Sequence, residues 1–171
     1  MGVTIHFEGQ LCSSDNYYKL ICIAKNFAEQ NHWEYFEFQE DFKLLERVKD
    51  EQEWNYEGST KGLQLQPGLN SDPLILEFDE DLYVQEFCKT QFADSSIHIL
   101  IINLLRQIQP YFDNLIVHDE GEYWETSDTN LLKQHIDTCN RVIEEMKKEN
   151  SKMSGPYRLQ NGRFVDLMED D

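Results

Sequence analysis

The sequence predicts an α+β fold in which two or three helices pack against a mostly antiparallel sheet. Three observations predict it. Hydrophobic residues make up 40% of the 171-residue chain, which is enough to build a buried core. Segments with strand-like alternation follow one another through the middle of the chain, and segments with helical spacing stand on either side of them. A ferredoxin-like arrangement with an inserted hairpin would satisfy this order.

The first strand and the first helix are predicted from a change in the spacing of apolar residues. Residues 3–11 alternate between apolar and polar side chains, as in a strand with one buried face. The polar run that follows offers Ser13 or Ser14 as the N-cap of a helix. Apolar residues then recur every three or four positions, so the helix is expected to continue to about Asn31.

The middle of the chain predicts several strands and one segment of uncertain structure. Residues 33–40 alternate again and predict a strand. Residues 41–60 have only weak helical spacing and then the character of a polar loop with two aromatics. Strands are predicted at 61–67, 73–79 and 82–92, and the sequence GLNSD between the first two predicts a hairpin connection.

The second half predicts two helices separated by a short strand. The segment from residue 97 to 108 is the most apolar in the chain and predicts a largely buried helix, which Pro110 ends. Its N-cap candidates are three consecutive polar residues, Asp94, Ser95 and Ser96. Residues 114–118 predict a strand, and residues 130–149 predict the last helix. We therefore expect a single α+β domain over residues 1–149, followed over 150–171 by a surface tail that is partly disordered or adds a short strand.

Charge is the strongest global feature of the sequence. The chain has 33 acidic and 15 basic residues, a net charge of −18, which repels phosphate backbones and anionic membranes. We therefore expect neither direct nucleic-acid binding nor membrane association. The acids cluster, since residues 72–86 and 113–128 each contain six acids and no base. This clustering favours a basic protein as partner, and the simpler alternative is an acidity that only keeps the protein in solution.

The cysteines and the chain's ends favour a cytoplasmic protein. The four cysteines, Cys12, Cys22, Cys88 and Cys139, are scattered and form no CxxC pair, so a disulfide framework is not expected. The N-terminal residues lack a basic region followed by a long apolar run, and no apolar run reaches the length of a membrane span. No pattern in the sequence calls for a cofactor, and none predicts an oligomeric state.

The stretch VHDEGEYWETSD, residues 117–128, is the most conspicuous local feature. A metal site built on His118 is disfavoured, because the spacing matches neither a zinc motif nor a calcium loop. A structural interpretation has a turn at Gly121, aromatic rings packed at the sheet edge and a cap for the last helix. The functional interpretation is a partner-binding patch of carboxylates and aromatic rings, made of Asp119, Glu120, Glu122, Tyr123, Trp124 and Glu125.

Local catalytic patterns are absent from the sequence. It contains no GxGxxG, no phosphate-binding GxxxxGK[ST] and no HExxH. A catalytic or ligand site would have to be assembled from residues distant in sequence, for which His6, Cys12, Lys89 and His118 are the candidates.

These observations lead to a non-enzymatic acidic binding protein that docks a basic macromolecular partner. Bacterial immunity and antitoxin proteins that neutralise cationic toxins share this composition and size, which is an analogy of composition alone. The alternative is a small enzyme or ligand-binding domain. A deep pocket lined by His6, Cys12 or His118 would rule out the binding protein, and a flat acidic face with Tyr123 or Trp124 exposed and no pocket would rule out the enzyme.

Overall fold

Every strand pairing in residues 2–170, the part of the chain that the structure describes, is antiparallel. The structure is a computed structural model. Its four α-helices are α1 (Ser14–Gln30), α2 (Ser95–Ile108), α3 (Tyr123–Thr126) and α4 (Thr129–Glu149), and a 3₁₀ turn follows α2 at Gln109–Tyr111. The α+β prediction is therefore confirmed.

The strands form two three-stranded sheets and three small two-stranded pairs. The longer strands are β1 (Thr4–Gln10), β2 (Glu34–Leu45), β5 (Tyr56–Gln66), β6 (Leu74–Phe78), β7 (Tyr83–Lys89) and β8 (Ile116–Asp119). The short ones are β3 (Val48–Lys49), β4 (Gln52–Glu53), β9 (Met153–Ser154), β10 (Tyr157–Arg158), β11 (Phe164–Val165) and β12 (Met168–Glu169). One sheet has the order β7-β1-β8 and the other has the order β2-β5-β6.

The two sheets meet where the chain passes from β6 to β7. Backbone hydrogen bonds join these strands at both ends, from Asp79 N–H to the Tyr83 carbonyl (3.1 Å) and from Asp72 N–H to the Lys89 carbonyl (2.9 Å). Between those ends β6 and β7 form no ladder and belong to different sheets. The ferredoxin-like arrangement is not confirmed, since its split β-α-β units need parallel strands and the described pairs are all antiparallel.

Helices α1 and α2 pack on one face of the sheets. The main core cluster joins side chains of α1 and α2 to the inward-facing residues of β1, β5, β6 and β7. Its fully buried members include Ile5, Leu20, Leu63, Leu76, Ile101 and Leu105. Removing each such side chain from water contributes about 2 kcal/mol. On the opposite face of β1, the side chains of His6 and Glu8 are at least partly exposed.

Side-chain caps fix where the helices begin. The Ser13 hydroxyl accepts a hydrogen bond from the Asn16 N–H at the start of α1. Asp94 caps α2 through the Ser96 N–H, and Asp128 caps α4 through the N–H groups of the second and third residues that follow it. No helix among residues 2–170 has the length and apolar character needed to cross a membrane.

Residues 34–57 form a long hairpin that we call the acidic arm. It consists of β2, the small β3–β4 pair and the beginning of β5, and the register between β2 and β5 shifts between Glu40 and Lys43. The arm contains nine acidic and three basic residues, a net charge of −6. Strand β2 was predicted to end near residue 40, and it continues to Leu45.

Residues 150–170 fold as a nested pair of hairpins that we call the C-terminal strap. Strand β9 pairs with β12, and β10 pairs with β11 inside it. The short strand foreseen near Phe164 is β11. None of these residues is fully buried, so the strap lies on the surface of the molecule.

Candidate binding groove

The open face of the β7-β1-β8 sheet presents two rows of cross-strand neighbours. In the first row His6 stands between Phe87 and His118, with ring centroids 6.1 Å and 5.9 Å apart. In the second row Glu8 stands between Gln85 and Ile116. These residues alternate along β1 with the buried Ile5 and Phe7, so the period-two pattern of this strand is what points His6 and Glu8 away from the core.

The carboxylate of Glu8 is held by neutral donors. It accepts hydrogen bonds from the Tyr83 hydroxyl and from Gln85 Nε2, the latter at 2.9 Å. Partial burial and the hydrogen bond to Glu8 raise the pKa of the Tyr83 phenol. Since no lysine or arginine among the described residues pairs with Glu8, its negative charge is uncompensated on this face.

The acidic arm folds back over the open face and forms one wall. Gln85 exchanges two hydrogen bonds with the backbone of Val48, at 3.0 and 2.8 Å. Lys43 reaches the buried carboxylate of Glu77 at 2.9 Å, and Thr60 donates a hydrogen bond to the same carboxylate. These contacts hold the arm across strands β6 and β7.

The C-terminal strap closes the other end through Arg163. This guanidinium donates to the Phe87 carbonyl and to Glu86 Oε2, both at 2.8 Å, and it lies 4.0 Å from the centroid of the Phe87 ring. Burial raises the pKa of the Glu86 carboxyl, and Arg163 works in the opposite direction. Arg163 is therefore the cation that makes a charged Glu86 tolerable at the junction of the sheets.

The space between arm, sheet face and strap is a groove of about 910 Å³. Four carboxylates line it, from Glu8, Glu46, Glu77 and Glu86, against two basic side chains that are already paired within the chain. Its apolar lining is open to solvent, with exposed fractions of 49% for Leu44, 59% for Val48, 41% for Phe87 and 53% for Ile116.

The apolar surface continues from the groove onto the arm. Residues of the arm supply five of the large hydrophobic side chains that are substantially exposed, namely Phe36, Phe42, Leu44, Val48 and Trp54. A second depression, which shares Gln64 with the groove, extends past Phe36 to Leu69. Acidic side chains and exposed apolar side chains thus occur together on the arm and along the groove, a combination typical of protein-binding surfaces.

The structure brings together two of the four residues considered for an enzyme or ligand site. His6 and His118 both line the groove. Cys12 lies outside it, and its hydrogen bond to Asp113 is the main cause that raises the pKa of its thiol, the opposite of what a nucleophile requires. Lys89 is committed to an ion pair with Asp166 at 2.6 Å. Residues 2–170 contain no group of three or more side chains placed to hold a metal ion.

The acidic stretch after β8 is built as a turn with a buried carboxylate. Asp119 is 3% exposed, and it accepts hydrogen bonds from the N–H groups of Gly121 (2.7 Å) and Trp124 (2.9 Å). Its Oδ2 lies 3.1 Å from His98 Nε2, and His98 Nδ1 lies 2.7 Å from the Thr90 hydroxyl. Since all three side chains are buried, this Thr-His-Asp array serves the fold.

The remaining residues of that stretch divide between interior and surface. Tyr123 and Trp124 are half-buried and pack against the core cluster, and Arg106 donates to both of their carbonyls. The two rings therefore turn inward. Glu120 is half-buried and accepts a hydrogen bond from the Thr4 N–H. Glu122 and Glu125 are exposed, and a role for them in partner binding stays a prediction.

Sequence reasoning missed the arm and Arg163 as parts of a site. One signal in the sequence indicated the arm. Many acidic residues occur together with the aromatic residues Phe42, Trp54 and Tyr56 in the segment 41–60, which matched neither helix nor strand. Arg163 gave no signal, because it meets Glu86 only through the tertiary fold.

Comparison with known proteins finds no family model that matches this chain, and no curated protein or solved structure matches it.

Proposed function

We propose that the protein is a non-enzymatic binding protein whose acidic arm and groove dock a basic protein partner, in the manner of immunity or antitoxin proteins. The observation that carries the proposal is the concentration of nine acids and five exposed large hydrophobic side chains on one hairpin that borders a groove. Carboxylates steer and orient a cationic partner, and the apolar side chains supply contact area.

The way the chain binds its own arginines supports the same partner chemistry. Arg47 is held by the Asp79 carboxylate and lies against the rings of Trp54, Tyr56 and Tyr83. Arg163 is held by Glu86 and stacks on Phe87. A surface that combines carboxylates with aromatic rings suits arginine in particular, since guanidinium both pairs with carboxylates and stacks on rings.

Two triple variants with equal loss of charge test the proposal. The arm variant is Glu40→Gln, Asp41→Asn, Glu46→Gln, and the control variant is Asp137→Asn, Glu145→Gln, Glu149→Gln on α4, which does not line the groove. All six side chains are exposed, and none forms an ion pair within residues 2–170. A basic protein captured from native lysate by the wild type at low salt is then purified, and its Kd is measured against all three proteins.

The expected result is about a tenfold loss of affinity for the arm variant and a change below twofold for the control. The loss should shrink at high salt, because screening already weakens the wild-type attraction there. Equal affinities for the two variants, or no basic protein retained by the wild type at low salt, would rule the proposal out.

A ligand-binding site around His6 is the second candidate, favoured by the contact between His6 and His118 inside a groove of small-molecule size. Its test is a double variant, His6→Gln with His118→Gln, screened by thermal shift against a metabolite library. A ligand that stabilises the wild type and has no effect on the double variant would support this candidate.

A further inference from the structure

A cation site at the junction of the sheets is filled by the chain itself. At the junction of the sheets, the Arg163 guanidinium meets Glu86 and the Phe87 carbonyl, and its Nη1 lies 3.6 Å from Asp72 Oδ2. The face of the Phe87 ring completes the enclosure, and Arg163 is only 17% exposed. Two carboxylates, one carbonyl and one ring are the set of partners that a planar guanidinium satisfies and an ammonium does not.

The segment that supplies Arg163 is held down mostly by polar contacts, and its one aromatic contact brings the ring centroids of Phe164 and Phe92 to 5.8 Å. The Phe164 N–H donates to Asp72 Oδ1 at 2.7 Å, and Lys89 pairs with Asp166. No strap residue is fully buried, and none belongs to either hydrophobic core cluster. Lifting the strap therefore exposes side chains that are only partly buried, and segments of this kind open at a small fraction of the global unfolding free energy.

Lifting the strap without replacing Arg163 would raise the free energy of the buried carboxylates that Arg163 contacts. Asp72 is 1% exposed. Burial raises the pKa of the Asp72 carboxyl and the pKa of the Glu86 carboxyl. When the guanidinium leaves, Lys89 is the cation that remains beside Asp72, and the two shielded carboxylates are destabilised by the loss of their closest charge partner. This destabilisation is removed when another guanidinium enters from the groove. Glu86 and Arg163 both line that groove.

We propose that Arg163 occupies an exchangeable arginine-binding site, and that an arginine of the basic partner takes its place as the C-terminal strap lifts. This inference rests on the proposed function and adds the residue type that the groove recognises. The strap is thereby an internal competitor that lowers the affinity for weak or non-cognate basic proteins.

A cavity variant tests the site without any partner. In the full-length chain, Arg163→Ala removes the guanidinium, and Nα-acetyl-L-arginine amide serves as the probe, with Nα-acetyl-L-lysine amide as the matched control. We expect the arginine probe to bind the variant saturably at millimolar concentration and to raise its Tm, at least tenfold more tightly than the lysine probe. Binding to the wild type should be at least tenfold weaker, and adding Glu86→Gln to the variant should abolish it.

Hydrogen exchange in the wild type supplies a second measurement that does not depend on the stability of the variant. The Phe164 amide, bonded to Asp72, should exchange much faster than amides in the middle of α2. Adding the arginine probe should accelerate the Phe164 amide further, because the probe binds the lifted state, and the lysine probe should not. An unchanged exchange rate, together with equal affinities of the variant for both probes, would overturn the inference.

The two proposals fail in different ways. If the wild type binds a basic protein and Phe164 stays protected in that complex, the partner docks without exchange and only the site proposal is wrong. If the cavity variant prefers arginine and no basic protein is ever bound, the site has the stated chemistry but the proposed function is wrong.

Discussion

The guanidinium of Arg47 and the carboxylate of Asp79 form an ion pair that is almost completely shielded from water. Nη1 and Oδ2 are 2.7 Å apart, and the side chains are 3% and 6% exposed. Arg47 also donates to the Tyr83 carbonyl at 3.1 Å, and its backbone carbonyl accepts the Trp54 N–H. This one residue therefore fastens the tip of the acidic arm to the turn between β6 and β7.

Arg47→Met should destabilise the protein by about 3 kcal/mol, because it leaves the shielded carboxylate of Asp79 without its cation. Urea unfolding measures the change. Lys49→Met is the control, since it removes the same charge from an exposed residue two positions away and should cost less than about 1 kcal/mol. Similar losses for both variants would show that the arm is held by other contacts.

Gly62 is the position in the central strand β5 that should tolerate no side chain. It lies between Phe38 of β2 and Glu77 of β6, and a Cβ there would overlap the carbonyl oxygen of Leu76. Gly62→Ala is expected to cost about 3 kcal/mol in thermal or urea unfolding, or to prevent folding. Gly68→Ala, where the nearest atoms of Ile97 are 3.5 Å away, should change stability by less than about 0.5 kcal/mol.

Asp119→Asn should weaken the protein at neutral pH and flatten its response to acid. Burial alone would raise the pKa of this carboxyl, but hydrogen bonds from His98 and from two backbone N–H groups outweigh burial and lower it. A lowered folded-state pKa contributes stability that is present above the unfolded pKa of about 3.9 and is lost as the pH falls through the folded value. We expect a loss of about 2 kcal/mol at pH 7, measured by urea unfolding.

The difference between wild type and Asp119→Asn should narrow once the pH falls below about 4. Asp128→Asn controls for the change of chemistry, because Asn caps α4 as well as Asp does. A difference that stays constant down to the acid transition would mean that Asp119 contributes through its shape and not through its charge.

Tyr17 should make stability fall in alkaline solution. Burial in the core raises the pKa of the Tyr17 phenol to about 12. For a raised pKa, the contribution is complete below the unfolded value of about 10 and is lost as the pH rises through the folded value. Between pH values of about 10 and about 12, the unfolding free energy of Tyr17→Phe should therefore fall less than that of the wild type. The same dependence of unfolding free energy on pH in both proteins would contradict this assignment.

The sequence predicted the fold where apolar periodicity exists, and it gave no sign of the groove between the acidic arm and the C-terminal strap. The strands and helices with one buried face, such as β1 and α2, were placed within one or two residues. The acidic arm beyond residue 40 was not recognised as strand, because its side chains are mostly exposed on both faces and no period of two survives there. The meeting of Arg163 with Glu86 spans 77 positions and depends on tertiary structure alone.

The residues singled out as a partner-binding patch illustrate a related limit. An acid next to Tyr and Trp has the same sequence pattern whether it faces water or caps a turn. Asp119 stabilises a turn and does not face water. It is also hydrogen-bonded to His98, which lies 21 positions away on α2. Only the packing of α2 against β8 decides between the two outcomes.

The shift of register between Glu40 and Lys43 has a further consequence, for how copies of the chain behave when they are concentrated. Strand β2 is an outer edge of its sheet. The unpaired backbone groups of such an edge can pair with the same edge of a second molecule and so start a polymer. The bulge bends this edge, and the exposed carboxylates of Glu34, Glu40 and Asp41 repel those of a second molecule. High salt screens that repulsion, so filament growth from β2, followed by light scattering, should be faster at high ionic strength than at low ionic strength.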